Sequence, residues 1–452
     1  MAAVMNATGK TSARYTLVVG LGASGLAAAR YLCAQGEPVL VIDSRLAPPG
    51  LEALAREQAR VRIELGTLDP KWLAGATRIV LSPGLSVDLP LMAEARSRGI
   101  EIVGELELFA RAAVAPVIAV TGSNGKSTVT SLVAALLKAE GFDAPAGGNL
   151  GPPALELLEH RDVDAYVVEI SSFQLETVRS MKPAAAALLN VSADHIDRHG
   201  SLDRYASLKG SLLTSARRAI VNWDDPIVRE LAPRGGETIA FSVVEPLADG
   251  WSVVEKSGER WLARRLEPLI RSVDLGLPGR TGEANSLAAL ALADCLGGDL
   301  APAVAALARF RGLPHRLQLV RELNGVSYVN DSKGTNVGAT VAALAGSDSP
   351  TVLIAGGQSK GADFRPLADA LEGRVKAVIL IGEAAGELGS LLQGRARVVR
   401  AESLDVAVEK AAAIAEPGDR VLLSPACASQ DMFVDYRDRG DAFARAVRGL
   451  PE

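Results

Sequence analysis

The chain has 452 residues, of which 48% are hydrophobic and 22% charged, with a net charge of −5. This length predicts about three domains of roughly 150 residues each, and the composition is that of a soluble globular protein without a broad basic surface for nucleic acid. Three scattered cysteines favour a reducing compartment. Residues 1–13 lack a signal-peptide core and no apolar run could cross a bilayer, so we expect a cytoplasmic protein without membrane insertion.

The first predicted unit is a βαβ element with a glycine-rich turn. An apolar run at 15–20 leads into Gly20-Leu21-Gly22-Ala23-Ser24-Gly25, an alanine-rich helix and a strand that ends at Asp43. Such a turn is typical of Rossmann-type nucleotide sites, with the acid on a ribose. The residues alone leave NAD, another nucleotide or simple tight packing open. Further strands complete a domain over about 14–107, and we expect a linker over 108–115.

The second domain begins at a phosphate-binding loop. A buried strand runs into Thr121-Gly122-Ser123-Asn124-Gly125-Lys126-Ser127-Thr128, and a helix follows. Backbone N–H groups in such a turn face an anion, Lys126 can reach the outer phosphates, and Ser127 or Thr128 can offer a hydroxyl to Mg²⁺. The common spacing would need a glycine at Val120, so the alternative is a glycine-rich turn with a surface lysine.

Polar side chains follow two later strands of the same predicted sheet. Glu169 ends one strand, and His195 follows the next. Because ligands bind at the carboxyl ends of parallel strands, both are candidate metal ligands on the same edge as Lys126. A surface or packing histidine remains the alternative for His195. Considered alone, Lys209 is an ordinary solvated lysine on a helix.

A third α/β domain is predicted from about residue 314. The region 251–275 suggests antiparallel strands and 281–296 a helix, before the chain passes into the new domain. Strands then alternate with helices, which predicts a parallel sheet. Polar turns follow three of these strands, at 330–336, 358–363 and 424–429.

Several of these stretches together resemble the Mur ligase family of ATP-dependent amide-forming enzymes. The resemblance rests on the 121–128 loop, on Leu313-Pro314-His315-Arg316 and on 330–336, and it covers about 18–439. The stretches 169–176 and 424–429 are similar to family members that add D-glutamate to UDP-N-acetylmuramoyl-L-alanine.

The resemblance implies an α/β fold of three domains. A Rossmann-like N-terminal domain (1–107) would bind the UDP-substrate rather than NAD, and a P-loop ATPase-like central domain (108–313) with a mostly parallel sheet would bind ATP and Mg²⁺. A Rossmann-like C-terminal domain (314–452) would bind the amino acid. The implied reaction makes an acyl phosphate from the L-alanine carboxylate, which the D-glutamate amine then attacks, in cytoplasmic peptidoglycan precursor synthesis. We expect a monomer with only small-molecule partners.

Family roles transfer residue by residue. The implied UDP-substrate contacts are Ser24, Ser44, Arg45, Ser82 and Gly84. The implied ATP contacts are Gly122, Ser123, Asn124, Gly125, Lys126, Ser127, Thr128, Asn149, Asn285, Arg316 and Asp331. The implied metal ligands are Ser127, Glu169, His195 and Lys209, with Lys209 carbamylated by CO₂. The implied catalytic residues are Lys126, His195 and Lys209, and the implied glutamate contacts are Thr335, Lys360, Ser429 and Tyr436.

Two departures and three alternatives accompany this interpretation. The family's His-Asn-x-x-Asn is Thr281-Gly282-Glu283-Ala284-Asn285 here, and Tyr436 replaces a common phenylalanine. An NAD-dependent oxidoreductase would leave Lys126, Glu169 and His195 without a joint role. A P-loop ATPase switch would need no carboxylate acceptor, and a folate polyglutamate ligase would typically lack the N-terminal domain.

Overall fold

Three sheets organise the chain, each at the centre of one α/β domain. The computed structural model describes residues 14–58, 61–347 and 349–451. The strands are mostly parallel and alternate with helices, which confirms the predicted fold class. The expectation about residues 1–13 lies outside the described residues. Within the described part, no helix combines the length and the apolar character that spanning a membrane requires.

The N-terminal domain holds a five-stranded parallel sheet in the order β3-β2-β1-β4-β5. Its strands are β1 (Tyr15–Val19), β2 (Val39–Asp43), β3 (Arg62–Leu65), β4 (Ala76–Leu81) and β5 (Glu101–Val103). Its helices are α1 (Ala23–Ala34), α2 (Leu51–Glu57), α3 (Pro90–Ser97) and α4 (Glu105–Ala112), with a 3₁₀ helix at Pro70–Ala74. The strand order reverses between β1 and β4, which places a ligand crevice at their carboxyl ends.

Helix α4 connects the first two domains, where the sequence suggested a linker over 108–115. The ring of Phe109 packs edge-on against Tyr166 of the central domain, with centroids 5.3 Å apart. The buried Glu107 carboxylate accepts a hydrogen bond of 2.7 Å from the Arg179 backbone N–H. The connection is therefore helical as far as Ala112, because an apolar face with a packing partner is more stable as helix than as free chain.

The central domain holds a nine-stranded sheet in the order β14-β13-β12-β11-β10-β9-β6-β8-β7, antiparallel only at β12–β14. Its strands are β6 (Val117–Thr121), β7 (Ala146–Gly148), β8 (Tyr166–Glu169), β9 (Ala185–Leu188), β10 (Arg218–Asn222), β11 (Glu237–Ser242), β12 (Trp251–Lys256), β13 (Glu259–Arg264) and β14 (Glu267–Arg271). Its helices are α5 (Lys126–Ala139), α6 (Ser172–Leu175), α7 (Ile196–His199), α8 (Leu202–Ser215), α9 (Pro226–Glu230), α10 (Gly279–Ala293) and α11 (Leu300–Leu307), with 3₁₀ helices at Ala154–Glu159, Ser272–Asp274 and Asp294–Leu296. Helix α5 packs between β6 and α10, so the loop before it is held from both sides.

The C-terminal domain holds a six-stranded sheet in the order β15-β16-β20-β17-β18-β19, antiparallel only between β15 and β16. Its strands are β15 (Gln318–Leu323), β16 (Val326–Asn330), β17 (Thr351–Gly356), β18 (Val375–Ile381), β19 (Arg397–Arg400) and β20 (Arg420–Leu423). Its helices are α12 (Val337–Ala345), α13 (Arg365–Ala370), α14 (Ala385–Leu392), α15 (Leu404–Ile414) and α16 (Tyr436–Arg448). The carboxyl ends of β16, β17 and β20 carry the three polar turns noted in the sequence.

Candidate active site

A glycine-rich turn joins β6 to α5. Gly125 has a φ of 83°, a left-handed conformation that glycine adopts without steric cost, and it directly precedes the helix. Asn190 supports the turn, because its Oδ1 accepts a hydrogen bond of 2.8 Å from Asn124 N and its carbonyl accepts one of 2.9 Å from Ser123 N. The first turn of α5 then offers the N–H groups that bind phosphate at helix N-termini.

The Lys126 ammonium lies directly at this loop. Its Nζ donates hydrogen bonds of 2.8 Å to the carbonyls of Gly122 and Ser123. Burial lowers the pKa of Lys126, although the Glu169 carboxylate opposes the shift. The lysine is thus held within the loop, where a bound phosphate would meet it.

A cavity of about 220 Å³ lies between this loop and the C-terminal domain. Eleven of the predicted site residues line it: Ser123, Asn124, Gly125, Lys126, Ser127, Asn149, Glu169, His195, Lys209, Arg316 and Thr335. Its other lining residues were not singled out from the sequence: Ser171, Ser172, Phe173, Asp194, Tyr205, Lys333 and Asn336.

Glu169 is buried at the end of β8, with one oxygen available in this cavity. Its Oε1 accepts a hydrogen bond of 2.6 Å from Asn149 Nδ2. Its Oε2 is buried and has no hydrogen-bond partner among the described residues. A buried carboxylate oxygen without a partner is costly, so Glu169 is suited to a cation.

His195 lies on the same cavity in an unusual backbone conformation. Its φ of 53° is left-handed, which is uncommon for a residue with a side chain. Its ring packs against Phe173 with centroids 4.7 Å apart. Burial lowers the pKa of His195, against the opposing charge of Asp194. The imidazole is therefore favoured in its neutral, ligand-competent form.

Lys209 is buried, which overturns its interpretation as a solvated lysine. Its Nζ donates a hydrogen bond of 2.8 Å to the Gly122 carbonyl and lies 4.6 Å from the centre of the Tyr205 ring. Burial lowers the pKa of Lys209 well below its usual range, and the Lys126 charge adds to the shift. Nothing in the local sequence reveals this, because burial depends on how α8 packs under the loop.

These donors fit a magnesium ion that also binds phosphate. Ser127 offers a hydroxyl, Glu169 a free carboxylate oxygen and His195 a neutral nitrogen, all on one cavity. Within residues 14–58, 61–347 and 349–451, no group of three or more His, Cys, Asp and Glu side chains is arranged to hold a metal ion. Mg²⁺ commonly takes only one or two carboxylates and completes its coordination with phosphate oxygens and water.

A second cavity, of about 670 Å³, continues from the loop between the central and C-terminal domains. Its predicted residues are Asn124, Gly125, Thr128, Asn285, Arg316 and Asp331, which are joined by an apolar wall at 275–278. This volume is in the range of small-molecule sites, and a largely apolar wall with few polar groups suits a planar base. Its position beside the phosphate-binding loop is that expected for the rest of a nucleotide.

At the sequence departure Thr281-Gly282, the neighbouring backbone packs closely around the glycine. A Cβ atom on Gly282 would lie 2.2 Å from the Leu277 carbonyl oxygen, so no side chain fits at that position. Glu283 is buried and pairs with Arg260 at 2.6 Å, on the side away from the cavity lining. Asn285 and Thr281 therefore supply the polar groups of α10 on this cavity.

The turn after β16 contributes two titratable side chains, Asp331 and Lys333, to the lining of the larger cavity. Asp331 accepts a hydrogen bond of 2.7 Å from Ser424 Oγ, and burial raises the pKa of its carboxyl to about 7. Burial lowers the pKa of Lys333 to about 8, and its Nζ lies 3.9 Å from the centre of the Tyr436 ring. In the sequence, Lys333 belongs to the 330–336 turn and has no assigned role, and only its position on both cavities singles it out.

The structure does not bring together all the residues that are predicted to bind the substrate glutamate. Thr335 lines the smaller cavity, and Tyr436 packs on Lys333 beside it. Lys360 and Ser429 are absent from the lining of both cavities. Ser429 Oγ is nevertheless buried without a hydrogen-bond partner among the described residues.

Arg439 supports the turns around this region and was missed from the sequence. Its guanidinium is buried and donates to the Ser332 carbonyl at 2.8 Å and to the carbonyls of Cys427 and Ala428 at 3.2 Å. Burial lowers the pKa of Arg439 to about 10. A guanidinium with several donors can hold two turns at once, and only the tertiary structure reveals that it does.

The predicted UDP-substrate residues lie around the crevice of the N-terminal domain. Ser24 is in the first turn of α1, Ser44 and Arg45 follow β2, and Ser82 and Gly84 follow β4.

Both carboxylate oxygens of Asp43, in the same domain, already accept hydrogen bonds from the protein. Its carboxylate accepts hydrogen bonds from the Leu21 N–H at 2.7 Å and from the Arg45 guanidinium at 2.7 and 2.9 Å. The Arg45 contact is the main cause that lowers the pKa of Asp43 to about 2. Both oxygens are thus used within the protein, which argues against the ribose-binding acid of an NAD site.

Comparisons with known proteins agree with this architecture. Family models match in chain order: the Mur ligase MurD-like N-terminal domain at 14–104, the Mur ligase middle domain at 120–293 and the Mur ligase glutamate ligase domain at 315–427. The UDP-N-acetylmuramoylalanine–D-glutamate ligase of Nitrosococcus oceani is 46% identical over 96% of this chain and 96% of its own length. That of Marinobacter nauticus is 46% identical over 97% of this chain and 99% of its own length.

Solved structures show the same fold at low sequence identity. UDP-N-acetylmuramate-alanine ligase from Thermotoga maritima has a TM-score of 0.61 at 20% identity, over 96% of this chain and 99% of its own. MurF ligase from Thermotoga maritima in complex with ADP has a TM-score of 0.60 at 17% identity, over 91% and 95%. With matching models along most of its length and relatives of this similarity, the chain belongs to the Mur ligase family.

Proposed function

We propose that the chain joins D-glutamate to UDP-N-acetylmuramoyl-L-alanine with consumption of ATP, in cytoplasmic peptidoglycan precursor synthesis. The observation that carries the proposal is the 220 Å³ cavity, which is shared by the phosphate-binding loop, Glu169, His195 and the C-terminal Thr335. A site built from two domains can hold a phosphoryl donor beside an amino-acid acceptor. The relatives named above carry this activity in their names.

The reaction is an amide synthesis in two steps. The substrate carboxylate attacks the terminal phosphorus of ATP, ADP leaves, and an acyl phosphate forms. The amine of D-glutamate then attacks the acyl carbon, phosphate leaves, and the amine proton passes to solvent or a base. The family uses ATP and Mg²⁺, and the bound ion neutralises phosphate charge.

The protein's part in these steps is positioning and charge neutralisation. Lys126 and the N–H groups of α5 bind the outer phosphates, while Asn285 and Thr281 face the base. Ser127, Glu169 and His195 would hold the ion. Arg316 approaches the same phosphates from the C-terminal domain.

Lys209 is proposed to be carbamylated. Its buried position and lowered pKa favour a neutral amine, which is the form that attacks CO₂. The nitrogen–carbon bond forms, the nitrogen loses one proton, and the neutral amine becomes a carbamate anion. That change would place a negatively charged group beside Lys126 that is able to face Mg²⁺.

The remaining assignments complete the proposal. Domain limits at 1–107, 108–313 and 314–452 would separate the sites for the UDP-substrate, ATP and glutamate, and a monomer would suffice for all three. The crevice residues Ser24, Ser44, Arg45, Ser82 and Gly84 would bind the UDP-substrate. The residues Thr335, Lys360, Ser429 and Tyr436 would bind glutamate, and Lys360 and Ser429 would have to approach the cavity as the C-terminal domain moves.

The deciding experiment measures phosphate release from ATP and Mg²⁺ with each substrate omitted in turn. Release that requires both UDP-N-acetylmuramoyl-L-alanine and D-glutamate supports the proposal. Release that is indifferent to both supports the switch ATPase instead. Phosphate release with L-glutamate only would support the mechanism but overturn the assignment of the glutamate-binding residues. Lys126→Ala should abolish release in every condition.

A further inference from the structure

Arg198 connects the central domain to the N-terminal domain next to the proposed active site. Its Nη2 donates a hydrogen bond of 2.7 Å to the backbone carbonyl of Leu85 and one of 2.5 Å to Glu176 Oε2. The Arg198 side chain is only 16% exposed, and that of Glu176 only 4%. A nearly buried guanidinium that bridges two domains in this way is a defined structural connection rather than a surface ion pair.

On the central-domain side, Arg198 belongs to a packed group beneath His195. Glu176 Oε1 lies 3.4 Å from the Nδ1 of the buried His199. The ring of Phe173 lies 5.5 Å from that of His199 and 4.7 Å from that of His195, with the Arg198 guanidinium 5.2 Å from its centre. Movement of Arg198 would therefore disturb the ring that supports His195.

A backbone hydrogen bond also links the position of His195 to that of Arg198. Arg198 N donates a hydrogen bond of 3.1 Å to the His195 carbonyl, so the two residues are one helical turn apart. His195 has a left-handed φ of 53°, a conformation that persists only when its surroundings enforce it.

On the N-terminal side, Leu85 belongs to the turn after β4 that contains Ser82 and Gly84. This turn is seated closely on the glycine-rich turn after β1, since a Cβ atom on Gly20 would lie 2.8 Å from Ser82 Cβ and 3.1 Å from Leu85 Cδ1. Leu85 N also closes the turn by donating to the Ser82 carbonyl at 3.0 Å.

We propose that Arg198 is a positioning residue that fixes the crevice turn, and with it the UDP-substrate, relative to His195 and the phosphate site. The inference rests on the proposed function, because it assigns the crevice to the UDP-substrate. Arginine suits this role because its fork of donors serves Glu176 and Leu85 at once. A lysine could keep the charge near Glu176 but could not hold both acceptors in the same geometry.

The test uses Arg198→Lys and Arg198→Met in the full chain, with Arg204→Met on the exposed face of α8 as the control. Calorimetry measures the binding of UDP-N-acetylmuramoyl-L-alanine in the absence of ATP. A separate titration measures the binding of ADP in the presence of Mg²⁺. Steady-state kinetics give KM for each substrate. We expect the Kd and KM for the UDP-substrate to rise about tenfold in both Arg198 variants, as for loss of a charge-assisted hydrogen bond. Binding of ADP should stay as in wild type in both variants. The melting temperature should fall in Arg198→Met, because the nearly buried Glu176 loses its partner, and much less in Arg198→Lys, which keeps a positive charge there. Arg204→Met should change neither ligand binding nor the melting temperature.

Three results with the Arg198 variants would overturn the inference. Unchanged affinity for the UDP-substrate would show that the Leu85 contact positions nothing. Equal weakening of UDP-substrate binding and ADP binding would indicate a purely structural residue. Normal behaviour of Arg198→Lys would show that a positive charge suffices and that the two-acceptor geometry positions nothing. If the wild-type chain binds no UDP-substrate, the proposed function fails and this inference fails with it. A failure confined to the Arg198 variants leaves the proposed function intact.

Discussion

Arg316 and Ser127 are 189 residues apart, yet Arg316 Nη2 donates a hydrogen bond of 2.5 Å to Ser127 Oγ. The contact joins the C-terminal domain to the first turn of α5. It places a second cation beside Lys126, at the helix end where we propose that phosphate binds. The proposed nucleotide site is thus completed only when the two domains meet.

Replacement of Arg316 should therefore impair ATP use more than folding. We expect Arg316→Met to raise KM for ATP at least about tenfold, because the charge-assisted contact that we propose between Arg316 and phosphate would be lost. Arg309→Met, an exposed change on the same inter-domain segment, should behave as wild type. The measurement is phosphate release over a range of ATP concentrations. An unchanged KM would contradict the placement of Arg316 at the nucleotide.

Lys209 should be needed for turnover and should carry a carbamate. Lys209→Met is expected to lower turnover on the order of a hundredfold or more, as for loss of a charged group at a phosphoryl-transfer site. The exposed Lys138→Met is the matched control. Carbon-13 NMR with labelled bicarbonate should show a carbamate signal in wild type and Lys138→Met only. A signal that persists in Lys209→Met would refute the assignment.

Glu140 should destabilise the protein at neutral pH. Both of its carboxylate oxygens are buried without a partner among the described residues, and burial, with repulsion from Asp294 and Asp299, raises its pKa to about 7. The folded state then binds more protons than the unfolded state between about pH 4 and pH 7, so this group's contribution to stability falls as pH rises through that window.

Glu140→Gln should remove this dependence. We expect its melting temperature to exceed that of wild type by a few degrees near pH 8, and the gain to disappear near pH 5, where the wild-type carboxyl is largely protonated. The exposed Glu372→Gln should show no such pattern. The same gain at both pH values would mean that charge is not the cause.

Tyr436 should act through its ring rather than its hydroxyl. The ring lies 3.9 Å from Lys333 Nζ, whereas the hydroxyl accepts only a 3.3 Å hydrogen bond from Arg437 Nε. Tyr436→Phe should keep KM for glutamate within about twofold, while Tyr436→Ala should raise it several-fold through loss of the cation–π contact. Steady-state kinetics at saturating ATP measure both. Equal effects of the two changes would assign the role to the hydroxyl.

Local patterns made much of this architecture predictable. The alternation of apolar strands and helices indicated parallel α/β domains, because buried parallel strands are nearly continuous apolar runs. The phosphate-binding loop was recognisable because its chemistry depends on residues adjacent in sequence. Glu169 and His195 were predicted to share an edge because the carboxyl ends of parallel strands do so. The structure places them on one cavity.

The sequence by itself thus determined the fold class, the family and the loop for which we propose phosphate binding. Only the tertiary structure decided which side chains are buried from solvent and which residues distant in sequence are in contact. Lys209 has the local sequence of a surface lysine, but the packing of α8 beneath the loop removes it from water and lowers its pKa. Arg198 and Arg316 acquire their partners from other domains, 113 and 189 residues away. Burial and long-range pairing are properties of the packed chain, and no local pattern encodes them.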